Sequence, residues 1–242
     1  MHTLSLDALC SDIRPLLRII VPAFAVLLSG CGWWDWHDWR QKVIVEVQTP
    51  NGIVTGTSVQ DIEFSRANFS VPGGDRKAFE VTGEGVIVDL ASAGKLFVLL
   101  SGKNFHGSAE RLAPIAFASD VEQGYTSKPA IDQVVATPLY SQAPLPEYAY
   151  PLLVTFDDLD DPATVREVDP ADLAATFGPG YALRSISVQM TDEPNGAGEM
   201  QRVLPWLGKY FDKRLDGDTI GTIFAPDRLA NDLASGSFST ER

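Results

Sequence analysis

The sequence predicts a mainly β fold with a few short helices, organised as a single β-sandwich-like or strongly curved-sheet domain. Three observations lead there. About seven segments of strand length alternate or run apolar between turn signals. The helical patterns are short, and Gly or Pro cuts most of them off. Apolar residues make up 45% of the 242 and charged residues 21%, a globular balance.

Residues 43–49 form the first strand, with Val43, Val45 and Val47 on one face. Pro50-Asn51-Gly52 is a hairpin signal, because Asn-Gly tolerates the positive φ that a tight turn needs. The return strand covers 53–64 and ends in Ile62 and Phe64; residues 71–75 are a loop. Residues 79–90 read as one long strand bent at Gly83 or Gly85. A turn at 91–94 leads into 95–100, an apolar run expected at the centre of a sheet. Pro114 limits the helix pattern at 108–119. Residues 120–150, rich in Pro, Tyr and Gln, read as an ordered surface excursion whose tyrosines pack.

Residues 152–156 form another strand. Asp169 as N-cap, Pro170 and Asp172 then open a helix that Gly178-Pro179-Gly180 ends. In 183–190 the strand turns Ile186, Val188 and Met190 inward. Residues 199–204 form a helix that stops at Pro205, and 226–234 a last one that stops at Ser235-Gly236.

The N-terminus carries the clearest address. Arg14 and Arg18 precede an apolar run, 19–28, interrupted only by Pro22. A helix of that length rises about 15 Å and cannot cross a hydrocarbon core of about 30 Å. A short apolar run behind positive charge and before small residues is an export signal. Leu28-Ser29-Gly30-Cys31 resembles the lipobox of bacterial lipoproteins. The resemblance implies a diacylglyceryl group on the Cys31 sulfur, cleavage before it and acylation of the new amine. The other reading is a short buried helix with an unrelated Cys.

The domain plan is then a lipoprotein signal peptide at 1–30, a Trp-rich tether at 31–40 after the lipidated Cys31, and a single β-rich globular domain at 41–242. Four of the five tryptophans lie in 33–39. Trp33 and Trp34 suit a membrane–water interface, and Trp39 the fold. Gly32 follows Cys31 where an Asp would favour inner-membrane retention. The expected place is therefore the cell envelope, lipid-anchored and facing the periplasm, with the outer membrane favoured over the inner.

The balance of 19 Lys+Arg against 32 Asp+Glu gives a net charge of −13. No nucleic acid is expected as a partner, since phosphate binding needs a basic face. With Cys10 removed and Cys31 lipidated, no thiol remains for a disulfide, a metal or a nucleophile. The acidic run Asp157, Asp158, Asp160 and Asp161 offers oxygen ligands to calcium, a weak candidate beside a solvated loop. It lacks EF-hand spacing, and Asp161 and Asp169 before prolines serve as helix caps.

Ser92-Ala93-Gly94-Lys95 matches Ser-x-x-Lys, but in a turn between strands rather than at a helix start. After Cys31 the histidines are His37 and His106, too few for a convincing zinc site. No P-loop or dinucleotide motif occurs, and no cofactor is expected.

Several landmarks recur together: His37-Asp38-Trp39-Arg40-Gln41-Lys42 before a Thr49-Pro50-Asn51-Gly52 turn, Gly83-Glu84-Gly85-Val86-Ile87-Val88-Asp89-Leu90, Phe156-Asp157-Asp158, Phe177-Gly178-Pro179-Gly180 and Leu204-Pro205-Trp206-Leu207. They resemble a family of uncharacterised bacterial proteins of unknown function, several with an N-terminal membrane anchor. That resemblance implies no catalytic residue.

The expected function is a non-enzymatic cell-envelope lipoprotein acting as a structural or binding module. Its partners would be the membrane, through lipid on Cys31, and an envelope protein or glycan. The alternative is a periplasmic hydrolase using paired carboxylates. An exposed apolar patch would favour the first reading, and a pocket of perturbed acids the second.

Overall fold

Alternation carries the first strand well beyond its valines. Strand β1 is Trp34–Thr49 and β2 is Gly52–Ala67, joined by a turn at Pro50-Asn51. The structure is a computed structural model that describes residues 34–67, 77–103, 105–119, 124–196 and 198–241. The expected signal segment 1–30, Cys31 and the loop at 71–75 lie outside these residues. At the turn Gly52 has φ +121°. The Thr49 hydroxyl accepts the Asn51 amide at 3.2 Å and donates to the Gly52 carbonyl at 2.8 Å.

Residues 34–40, expected in a tether, belong to β1 instead. Trp39, Gln41, Val43, Val45 and Val47 are all buried, in period-two alternation. Polar Gln41 broke the apolar pattern and hid this extension.

The chain groups into two compact units, residues 1–36 with 64–78 and residues 37–63 with 79–242. β1 and β2 have 16 residues each, against a usual five or six, and only part of each falls in the larger unit. In the smaller unit the described residues are the strand segments 34–36, 64–67 and 77–78.

The fold is mainly β, with two sheets that do not close. The remaining strands are β3 (Lys77–Gly83), β4 (Val86–Asp89), β5 (Lys95–Val98), β6 (Gln142–Pro144), β7 (Leu153–Phe156), β8 (Val165–Glu167) and β9 (Ala182–Met190). One sheet has the order β3-β2-β1-β9-β6 and the other β4-β5-β7-β8. β1 and β9 pair antiparallel, Val43 opposite Val188 and Val45 opposite Ile186, with a register shift between Glu46 and Val47. β5 lies inside its sheet, as its apolar run predicts.

The single bent strand expected at 79–90 is instead two strands in different sheets. Gly83, at φ +138°, turns the chain out of β3. Gly85 then lies so close to the Val98 carbonyl that a Cβ would collide with it. Between them Glu84 is 3% exposed.

Among the described residues the α-helices are α1 (Ala109–Phe117), α2 (Lys128–Ala136), α3 (Leu173–Phe177), α4 (Glu199–Val203) and α5 (Arg228–Asp232). α1 keeps Pro114 inside it and packs on α2 and β9. α2 corrects the reading of 120–150 as mere excursion. Ser127 caps it, Pro129 starts it, and Ala130, Ile131 and Val134 are buried. The N-cap of α3 is Asp172, not Asp169; the Asp169 carboxylate accepts the Ala171 amide one turn earlier. Gly178, at φ +99°, ends the helix as expected.

One apolar cluster joins Phe97, Phe156, Trp206 and Phe238 with Met200, Leu204 and Leu233. Its rings meet edge-on or tilted, Phe97 to Phe156 at 5.4 Å and Trp206 to Phe238 at 5.8 Å between centroids. Residues 237–240 seal this core to the glycine-flanked joint. The Gly85 amide donates to Phe238 (2.7 Å), Leu100 to Ser237 (2.9 Å) and Thr240 to Gly83 (3.0 Å).

Candidate functional site

The residues singled out in the sequence do not converge. The Asp157 carboxylate pairs with Arg166 at 2.7 Å. Asp158 accepts the Asp160 amide at 2.9 Å, and Asp161 the Ala163 amide at 3.0 Å. The four aspartates of the weak calcium candidate thus lie on one exposed loop, three of them bound by their own neighbours. Among the described residues no group of three or more His, Cys, Asp or Glu is placed to hold a metal.

Ser92 sits in a 3₁₀ turn, and the Lys95 ammonium is held by Asp89 at 2.5 Å. That hydrogen bond, with a second from the Ala91 amide, holds the Asp89 carboxyl below its ordinary range. His37 faces Asp132 at 3.8 Å, while the His106 ring meets Tyr148 edge-on. Cys31 lies outside the described residues.

A polar cleft of about 320 Å³ opens beside the joint between β3 and β4. Lys42, Ser58, Glu84, Glu193, Glu199 and Arg202 line it. It brings three carboxylates together, Glu84, Glu193 and Glu199. Each is already engaged: Glu193 chelates the Lys42 ammonium at 2.8 and 3.0 Å, and Glu199 meets Arg202 at 3.3 Å. Glu84 accepts the Gly198 amide at 2.9 Å and the Met200 amide at 3.0 Å, one on each oxygen. A carboxylate held by two amides at a helix start is a cap rather than a base reaching for substrate.

Behind Glu84 runs a buried polar chain. Trp39 Nε1 donates to Gln41 Oε1 (3.2 Å), Gln41 Nε2 to Gln60 Oε1 (2.9 Å) and to the Ala109 carbonyl (2.8 Å). Gln60 Nε2 continues to the Glu84 carbonyl at 3.3 Å. It satisfies polar groups that would otherwise be costly inside the sheet.

Three exposed large apolar side chains gather on the segment leading into α5. Ile220, Ile223 and Phe224 are 73%, 68% and 86% exposed. Residues 219–226 carry no charge, and Asp216, Asp218 and Asp227 flank them. The Arg214 guanidinium lies over Gly221 at the base.

This segment is held in shape by Asn231, which is fully buried. Its Oδ1 accepts the Thr222 amide at 2.6 Å; its Nδ2 donates to Asp216 at 2.7 Å and to the Ile220 carbonyl at 3.3 Å. Three large apolar groups are thus offered to water on a backbone pinned from inside. The tip follows no strand or helix period, so no periodic sequence pattern marks it. The available signal was the apolar Ile-Gly-Thr-Ile-Phe between Asp218 and Pro226.

In comparisons with known proteins, the chain matches no protein-family profile, no curated protein and no solved structure.

Proposed function

We propose that this protein is a non-enzymatic lipoprotein of the cell envelope, anchored through lipid on Cys31. It serves as a binding module that docks a protein partner on the tip formed by Ile220, Ile223 and Phe224. The observation that supports the reading is the tip itself. Burying large apolar side chains is a main source of binding energy, and a preformed loop loses little entropy when it docks. The flanking aspartates and the net charge of −13 disfavour an anionic lipid surface as occupant. They suit an apolar pocket with a basic rim on another protein.

The test places a photoreactive benzophenone residue at position 224 in intact cells, with position 139, another exposed apolar site, as control. A protein crosslink mapped to an apolar pocket, formed from 224 and not from 139, is expected. Crosslinks to lipid alone, or equal products from both positions, would overturn the docking role. The anchor is tested separately by radiolabelled palmitate, whose incorporation Cys31→Ser should abolish. Labelling that persists in that variant would overturn the lipoprotein assignment.

A further inference from the structure

The aromatic side chains of 120–150 do more than cover a core. Tyr148 and Tyr150 wall a small cleft of about 140 Å³ floored by Leu152 and Leu153. Lys103, Glu147 and Glu167 stand around it. Tyr148 is 51% exposed, an unusual state for a ring that its own neighbours hold in place. Its hydroxyl lies 3.1 Å from that of Tyr125, and the His106 ring meets it edge-on at 5.6 Å.

The rest of the cleft is fixed as well. The Leu152 amide donates to the Ser101 carbonyl and the Val168 amide to the Leu153 carbonyl, tying the floor to the chain on both sides. Gly107 lies against the Tyr150 carbonyl, where a Cβ would collide. At the rim the Lys103 ammonium meets Glu167 at 2.7 Å. Burial, seconded by Glu147, raises the Tyr150 hydroxyl above its ordinary range, against a backbone hydrogen bond from Ile186 that lowers it.

We infer that this cleft is a saccharide-binding site that takes one pyranose ring of a larger glycan. A pyranose has C–H faces that lie against aromatic rings, and an edge of hydroxyls that both donate and accept. The walls and floor supply the first surface. The rim supplies the second, with the Lys103 ammonium as donor and the Glu147 and Glu167 carboxylates as acceptors. Because Lys103 and Glu167 hold each other, they are oriented before a ligand arrives.

Other small ligands fit less well. A phosphate would face two carboxylates against one ammonium already paired. A wholly apolar ligand would leave the rim charges without water or partners. The volume is below the roughly 300 Å³ at which pockets for drug-sized molecules begin, and it suits a single ring. The inference is independent of the tip at Ile220–Phe224 and goes beyond the docking role proposed for it.

The experiment is saturation-transfer NMR on the full chain in dodecylphosphocholine micelles, a detergent without sugar. The probes are the N-acetylglucosamine trisaccharide and maltotriose at millimolar concentration. Transfer to ring protons of at least one probe is expected. Tyr148→Ala should weaken it by about tenfold or more, and Tyr148→Phe, which keeps the ring, should retain most of it. Glu167→Gln should also weaken it while circular dichroism stays unchanged. No transfer to either sugar would overturn the assignment, as would binding unaltered in Tyr148→Ala. So would transfer to a proline-rich peptide in place of the sugars, which would make the cleft a peptide groove.

Discussion

Glu84 accepts the Met200 amide on a buried carboxylate oxygen at 3.0 Å, across 116 residues of chain. Its other oxygen holds the Gly198 amide. One side chain at the joint between two sheets therefore sets the start of α4. Glu84→Ala would leave these amides without acceptors, and is expected to cost about 2–4 kcal/mol. Glu84→Gln keeps one acceptor oxygen and should cost less. Urea unfolding midpoints of the three proteins check the order; equal midpoints for Glu84→Ala and the parent would refute the capping role.

Two glycines of β2 should fail for different reasons. Gly52 has open space around it and a positive φ, so Gly52→Val meets backbone strain alone, about 1–3 kcal/mol. Gly56 has no such φ, but a Cβ there would run into the Ile87 carbonyl of β4. Gly56→Ala should therefore destabilise by about 1–3 kcal/mol through overpacking despite its smaller side chain. Gly52→Ala should recover part of the loss seen with Val, since the β-branch is gone. Unfolding curves decide each case.

The apolar tip separates stability from recognition. Phe224→Ser removes an exposed ring and should shift stability by no more than about 0.5 kcal/mol. Asn231→Ala strips three hydrogen bonds from inside the loop and should cost about 1–3 kcal/mol. It should also speed amide exchange at Thr222. A large loss in Phe224→Ser would mean that the ring packs inside the molecule.

Alkaline pH should weaken the fold in a defined window. Tyr140, Tyr148 and Tyr150 all titrate above the ordinary tyrosine value of 10.0. The first causes are the Asp192 hydrogen bond for Tyr140, the Tyr125 hydroxyl for Tyr148 and burial for Tyr150. A raised folded-state value means that the native state keeps protons the unfolded chain gives up. Their contribution is whole below pH 10 and is lost as pH rises through the raised values. Phenolate absorbance should show this late fraction in native protein and not in urea. Tyr140→Phe should remove one late proton.

What the sequence reveals here depends on the range of the interaction. Period-two alternation and Asn-Gly placed β1, β9 and the turn at Gly52, because these signals are local. The switch of sheets at Gly83–Gly85 looks like a simple bend in the sequence, since nothing within 79–90 says that Val98 and Phe238 lie against those glycines. The N-cap of α3 slipped by three residues because Asp169 and Asp172 are equally good caps when seen alone. The cleft of Tyr148 and Tyr150 was legible only as aromatic excess. Its Lys103 and Glu167 come from segments about 45 and 20 residues away, which only the folded sheet brings together. Asn231 reads as an ordinary polar residue until the segment that it holds is folded over it.

The seal made by residues 237–240 sets an order of events in synthesis. The Gly83 amide finds the Thr240 hydroxyl at 3.0 Å, 157 residues later in the chain. While the ribosome is still completing that stretch, the sheet of β4 and β5 has neither its closing hydrogen bonds nor the Phe238 ring in its core. Contacts of such long sequence separation form slowly, because a large loop must close before they stabilise anything. The nascent chain therefore lacks this seal until its 240th residue has emerged. Cutting it at 236 should leave a chain that exposes its aromatic core and is readily digested.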